Sequence, residues 1–194
     1  YQLYTCSTFK PDIAVFLDVT SDHLAWHKTN DHYIQSKANL IKHMTANDTI
    51  ISPDTNSKMI PFFSACAAHL QWVDMENEAL LDQLETFPLM GDHNKLNAIL
   101  AIKAAFVCGV SVEKSITKLQ TFEALEHRLE PVQNSIERVF LNDSKATNIE
   151  SVEIAIKACD DPIHLILSGN DKGEEWGPFL AKIQEEVTTI ITFG

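Results

Sequence analysis

Polar residues gather at three places where an apolar run stops: Thr20-Ser21-Asp22-His23, Asn142 to Asn148, and Ser168 to Gly173. In open α/β sheets ligands collect at the carboxyl ends of strands, so these segments are the first candidates for chemistry. His23, beside Asp22, can serve there as a metal ligand or can stabilise developing negative charge. His27 and His32 follow closely and make a cluster that could bind a transition metal, although loop histidines without a ligand are the plainer expectation for those two. Lys37 falls on the helix predicted beyond them, where a solvated lysine is ordinary and nothing intrinsic singles it out.

The heptad Asn142-Asp143-Ser144-Lys145-Ala146-Thr147-Asn148 offers an acceptor, hydroxyls and a cation where strand turns to helix. Free N–H groups and the positive dipole end of a helix favour anionic groups at such a place. Simple capping explains Thr147 or Asn148 but not Lys145, because a cation is unfavourable at that end. Ser168 to Gly173 also ends a strand, and its Lys172 suits either a tight turn or a carboxylate clamp. The spacing G-x-x-x-x-G-K-[ST] of a phosphate loop occurs nowhere in the chain.

These segments need strands and helices to hold them. Ile13 to Val19 is a continuous branched apolar run, the pattern of a parallel strand buried on both faces. Asn30 can cap a helix running to about His43, and Asp48–Ser52 and His69–Val73 read as short strands. Asp92 to Cys108 carries Leu96, Ile99, Leu100, Ala104 and Val107 at helical spacing, with Gly109 placed as a left-handed terminator; Ser111 to Leu119 repeats the pattern in miniature. Periodicity is lost from Thr121 to Glu130, which puts a domain boundary there, at residues 122 and 123. Beyond it Ile136–Leu141, Ile163–Ser168 and Val187–Phe193 read as strands, with helices near Asn148–Cys159 and Glu175–Gln184. Such alternation predicts a parallel α/β unit.

Composition limits the partners. The 194 residues hold 45% hydrophobic and 22% charged side chains, enough for a real core, and no stretch approaches the roughly 18 apolar residues of a membrane span. A formal net charge of -12, from 27 acidic against 15 basic residues, repels a polyphosphate backbone, so nucleic acid is not an expected partner. Cys6, Cys66, Cys108 and Cys159 are widely spaced without a C-x-x-C pair, as in reduced thiols of a cytoplasmic protein. The start without Met and the end just after a strand-like run make the chain read as an excerpt.

Taken together, the motifs resemble those of the Mur ligases, most closely of the branch that adds D-glutamate. Tyr1-Gln2-Leu3 looks like the tail of E-x-S-S-[FY]-Q-L, and Asp18-Val19-Thr20-Ser21-Asp22-His23-Leu24 resembles N-[VI]-T-x-D-H-[LM], with Asp18 in place of Asn. Tyr33-x-x-x-Lys37, Gly91-Asp92-His93-Asn94-x-x-Asn97-Ala98 and His127-Arg128-x-Glu130 are similar to Y-x-x-x-K, G-x-H-N-x-x-N-A and H-R-x-E. Residues 142–148 read N-D-S-K-A-T-N, the heptad that separates this branch from other Mur ligases and from folylpolyglutamate synthases.

The resemblance implies an α/β chain: residues 1–122 as the later part of a central ATPase-type domain, and 123–194 as the first part of a Rossmann-like C-terminal domain. It implies ATP-dependent addition of D-glutamate to UDP-N-acetylmuramoyl-L-alanine through an acyl phosphate, with Mg2+. His23 and Lys37, the latter as a carbamate, are then catalytic and metal-binding. His93, Asn94, Asn97, Arg128 and Asp143 meet the nucleotide, and Lys145, Thr147 and Lys172 the substrates. A monomer without membrane insertion is expected. The family's phosphate loop, UDP-binding domain and upstream metal-binding Glu lie outside these residues, so the excerpt alone is expected to be inactive. The alternatives are a Mur ligase adding another amino acid and a non-catalytic module that kept the fold.

Overall fold

The structure, a computed structural model, describes residues 1–20, 22–76, 79–160, 162–169 and 175–193. The chain forms two compact units, Tyr1–Phe87 with Lys95–Thr121, and Pro88–Asn94 with Phe122–Gly194.

The first unit is built on three parallel strands in the order β1 (Ile13–Val15), β2 (Thr49–Pro53) and β3 (His69–Val73). Ile50 and Ile51 are adjacent on β2 and both fully buried. Successive strand side chains point to opposite faces, which puts the two residues into two cores. Ile50 packs with Ala14, Phe16, Tyr33, Ile34, Met59 and Phe63, on the side of α1 (Leu24–His27), α2 (Asn30–Ala38) and α3 (Ile60–Ala65). Ile51 packs with Val73, Leu84, Ala98, Ile99, Leu100 and Ile102, the inner face of α4 (Asp92–Val107). Burying each such side chain stabilises the fold by roughly 1.5–3 kcal/mol.

Helix ends follow their capping residues. Thr29 accepts a hydrogen bond from His32 N–H and starts α2, one residue before the expected cap Asn30. The helix closes at Ala38 and a 3-10 turn, Asn39–Ile41, takes the chain on, shorter than the expected run to His43. Gly109, at φ 85°, stops α4, and Ser111 caps α5 (Val112–Leu119) by accepting from Lys114 N–H.

The second unit holds a short antiparallel pair, β4 (Glu130–Pro131) with β5 (Leu141–Asn142). It also holds α6 (Ile149–Lys157), β6 (Ile163–Ser168), α7 (Trp176–Ile183) and β7 (Val187–Phe193), with β6 and β7 parallel. Its core is Ile156, Phe179 and Ile183, against Ile163, Leu165, Leu167 and Val187.

Two expectations are corrected. The run Ile13–Val19 is not a strand buried on both faces: only Ile13–Val15 pairs, and Val15 and Leu17 are exposed while Ala14 and Phe16 are buried. β1 pairs only with β2 and so is an edge strand among the described residues, which leaves an alternating pattern. The strand expected at Ile136–Leu141 reduces to Leu141–Asn142. Val132 N–H still reaches Phe140 O at 2.8 Å, but beyond it Asn134 donates to the carbonyls of Val132 and Arg138 and accepts from Ile136 N–H, so side-chain bonds close a local turn, and Val139 is 81% exposed.

Candidate functional site

Asp22 and His23 come directly after β1 and the loop that follows it. His23 is the N-cap of α1 in a left-handed conformation (φ 55°), its N–H bonded to Asp22 Oδ1 at 2.6 Å and its Nε2 3.5 Å from Asp22 Oδ2. Lys37 is in the last turn of α2, its Nζ 4.8 Å from the centre of the Tyr33 ring. The residues are fourteen positions apart in the chain, yet His23 and Lys37 line one cleft of about 160 Å³, with Tyr1, His27, Tyr33 and Ser36. Helical spacing puts Tyr33 and Lys37, four residues apart, on one face, and the aromatic ring gives the ammonium a partner.

His27 departs from its expectation. It is no exposed loop residue but ends α1 at 2% exposure, with its Nδ1 3.0 Å from His32 Nδ1. That contact engages one ring nitrogen of each histidine. Burial, followed by the positive charges of the Tyr1 amino group, His32, His23 and Lys37, holds the His27 imidazole below the ordinary histidine range. The signal for it was the i, i+4 spacing from His23, which puts His27 above His23 on a helix. Among the described residues no group of three or more His, Cys, Asp or Glu side chains is arranged to hold a metal ion.

The second group of site residues surrounds Gly91 and the heptad. Gly91 has φ 86°, and a Cβ there would stand 2.8 Å from the His93 ring and 2.9 Å from Ala158 Cβ. Only glycine permits that turn and that approach. Asn94 donates its N–H to Gly91 O and its side-chain amide to Met90 O, which fixes the first turn of α4. Asn97, three residues on and so on the same face of α4, is exposed. Burial lowers the His93 pKa against the opposing pull of Asp143 and Asp92, which puts His93 and Asp143 within electrostatic reach of each other.

Asp143 accepts from Leu129 N–H at 3.1 Å, which brings the heptad against the H-R-x-E segment and leaves Arg128 exposed beside it. Lys145 N–H donates to His127 O at 3.1 Å. Asn148 is the N-cap of α6, bonded to Ser151 N–H at 2.8 Å, and Thr147 stands exposed just before it. Capping therefore belongs to Asn148. The structure thus gathers His23 with Lys37 in one unit, and His93, Asn94, Arg128, Asp143, Lys145 and Thr147 in the other. Lys172 lies outside the described residues.

This α/β arrangement, with polar residues at strand ends and helix starts, has known counterparts. Residues 2–105 match the family model of the Mur ligase middle domain, more than half of the chain. The chain belongs to the Mur ligase family. It is 32% identical over 211 residues to the UDP-N-acetylmuramoylalanine--D-glutamate ligase of Latilactobacillus sakei subsp. sakei (strain 23K), covering 100% of this chain and 46% of that protein. The enzyme of the same name from Clostridioides difficile (strain 630) is 31% identical over 214 residues, covering 100% of this chain and 47% of its own length. The chain therefore spans about half the length of the curated relatives it matches.

Among solved structures, MurF ligase from Thermotoga maritima in complex with ADP superposes with a TM-score of 0.72 at 14% identity, covering 95% of this chain and 49% of that one. The apo form of L. casei FPGS gives 0.66 at 16% identity, with 94% and 50% covered. At these identities the likeness is one of fold.

Proposed function

We propose that the full-length protein containing this chain is an ATP-dependent ligase that joins D-glutamate to UDP-N-acetylmuramoyl-L-alanine in peptidoglycan precursor synthesis. The observation that carries this is the match of relatives bearing that activity in their names to 100% of this chain, at 32% and 31% identity. The N-D-S-K-A-T-N heptad, intact at 142–148, supports the same branch.

A carboxylate is a poor electrophile with a poor leaving group. Phosphorylation by the γ-phosphoryl of ATP corrects both: the L-alanine carboxylate attacks phosphorus and ADP leaves. The D-glutamate amine then attacks the acyl phosphate, and inorganic phosphate departs as the amide forms. Positioning and charge compensation are what the protein supplies.

In this reading His23 and Lys37 would hold Mg2+, which would offset negative charge on the transferring phosphoryl group. An ammonium at Lys37 opposes a dication, whereas a carbamate on its Nζ turns the same position into a hard oxygen donor. The cleft that Lys37 shares with His23 supports that assignment. Asn94 and Asn97 take the adenine with His93 adjacent, Arg128 and Asp143 border the ribose and phosphates, Lys145 and Thr147 face the substrate, and Lys172 holds a D-glutamate carboxylate.

The domain assignment is 1–122 central and 123–194 C-terminal, in a monomer of the cytoplasm. Cys6, Cys66, Cys108 and Cys159 are not joined in disulfides, which suits a reducing compartment. Among the described residues no helix is long and apolar enough to cross a membrane.

Coupled ADP release by the full-length protein tests the proposal. ATP is consumed only when UDP-N-acetylmuramoyl-L-alanine and D-glutamate are both present, and equal turnover with L-lysine or meso-diaminopimelate in place of D-glutamate refutes it.

A further inference from the structure

Arg128 stands between two non-glycine residues in the left-handed backbone region, His127 at φ 67° and Leu129 at φ 45°. For a side chain such as leucine that conformation is strained, and it persists only where the surroundings over-determine it. The Arg128 N–H donates to Leu125 O at 3.3 Å, and the side-chain anchors are on the flanking residues. Glu130 Oε2 accepts the His127 N–H at 2.8 Å, and Asn142 Nδ2 is 2.9 Å from His127 Nδ1. Asp143 Oδ1 accepts the Leu129 N–H at 3.1 Å, and Glu130 pairs with Asn142 across the β4–β5 ladder. The Arg128 side chain itself is exposed.

We infer that Glu130 is a positioning residue: its carboxylate clamps the strained His127–Leu129 segment, and the clamp aims the Arg128 guanidinium at the nucleotide. Asp143 has a double duty in this arrangement, since one of its oxygens also holds Leu129 in place. The strain is what makes the clamp necessary. Without it the segment relaxes toward ordinary right-handed or extended backbone and the guanidinium swings off its target.

This inference rests on the assignment of Arg128 to the nucleotide, and the test separates the two. In the full-length ligase, Glu130→Ala raises the KM for ATP by about tenfold, the loss of one well-placed hydrogen bond to a charged group, and leaves the KM for D-glutamate within about twofold. Glu130→Gln keeps an oxygen acceptor for the His127 N–H and stays near wild type. Adding Leu129→Gly to Glu130→Ala recovers part of the ATP constant, because glycine adopts the left-handed conformation without the side-chain penalty.

Amide hydrogen exchange of the peptide around His127 reports the clamp independently of catalysis. Exchange there accelerates about tenfold or more in Glu130→Ala and not in Glu130→Gln. Unchanged exchange in Glu130→Ala overturns the clamp. Faster exchange with an unchanged ATP constant overturns the aiming of Arg128, and if Arg128→Ala also leaves that constant unchanged, the nucleotide assignment itself has failed. An equal loss in Gln and Ala variants, without rescue by Leu129→Gly, would make Glu130 a direct ligand and overturn the positioning role.

Discussion

Lys37 is held more firmly than a surface lysine. Tyr33 lies one helical turn before it and places its ring 4.8 Å from the ammonium, and both residues line the cleft that contains His23. An aromatic contact of this kind reduces the rotamer freedom that an exposed lysine keeps. If that atom carries a carbamate, Lys37→Ala in the full-length ligase lowers kcat by about a hundredfold or more, the scale seen when one charge-compensating group is lost from a phosphoryl- or acyl-transfer site. Acetate or formate at high concentration then restores part of the rate, by placing a carboxylate in the vacated space. A neutral amide such as acetamide does not. Near wild-type turnover of Lys37→Ala, or equal rescue by the amide, refutes the role.

At the scale of the element, the turn that starts α4 depends on Gly91. Its φ of 86° and the 2.8 and 2.9 Å clashes awaiting a Cβ act together, whereas Gly109 at φ 85° meets nothing within 4 Å. Gly109→Ala carries only the left-handed penalty, about 1–2 kcal/mol. Gly91→Ala adds the displacement of the His93 ring and Ala158, for a total of about 2–5 kcal/mol when overpacking is included. Denaturant unfolding of the intact protein checks the pair: equal losses at the two sites would show that the His93 contact is slack.

Elements with caps and a clear period were legible from sequence in the same way. β3, α4 with its Gly109 stop, and α5 behind Ser111 stand where spacing put them. The run to Val19 and the strand at Ile136–Leu141 misled, because apolar content does not say which strands have neighbours or that Asn134 closes a local turn. In the site, the motifs named the residues and the spacing from His23 pointed to His27, but the grip of Glu130 on His127 arises from a left-handed backbone that no spacing encodes.

For the molecule as a whole, pH acts on stability through Lys10, Asp48 and His27 among other groups. Lys10 Nζ reaches Asp48 Oδ1 at 2.6 Å, and Asp48 Oδ2 also accepts from the N–H and hydroxyl of Thr45 at 2.6 and 2.8 Å. The pair ties the segment before β1 to the start of β2. The Lys10 ammonium first, then the Thr45 N–H, lowers the Asp48 pKa against the effect of its burial. A carboxyl depressed in the folded state contributes stability that is full above its unfolded value, about 3.9, and is lost as pH falls through the folded value. Lys10 is raised, chiefly by Asp48, so its contribution is full below about 10.4 and is lost as pH rises through its folded value. His27 is lowered, first by burial, so its contribution is full above about 6.5 and falls away below that. Against this, acidification toward the pI of about 5.0 relieves the self-repulsion of a -12 charge. The raw curve mixes these opposing trends, and single variants separate them. The urea midpoint of the intact protein, followed from pH 8 to pH 3, loses its His27 component as pH falls below about 6.5 in the wild type and not in His27→Gln. Below about 4 the wild type loses a component that Asp48→Asn lacks, at the cost of a lower midpoint for that variant at neutral pH. If the wild-type and His27→Gln curves run parallel from pH 8 to pH 5, the imidazole is not buried against protonation, and the packing of α1 onto α2 through that ring is wrong.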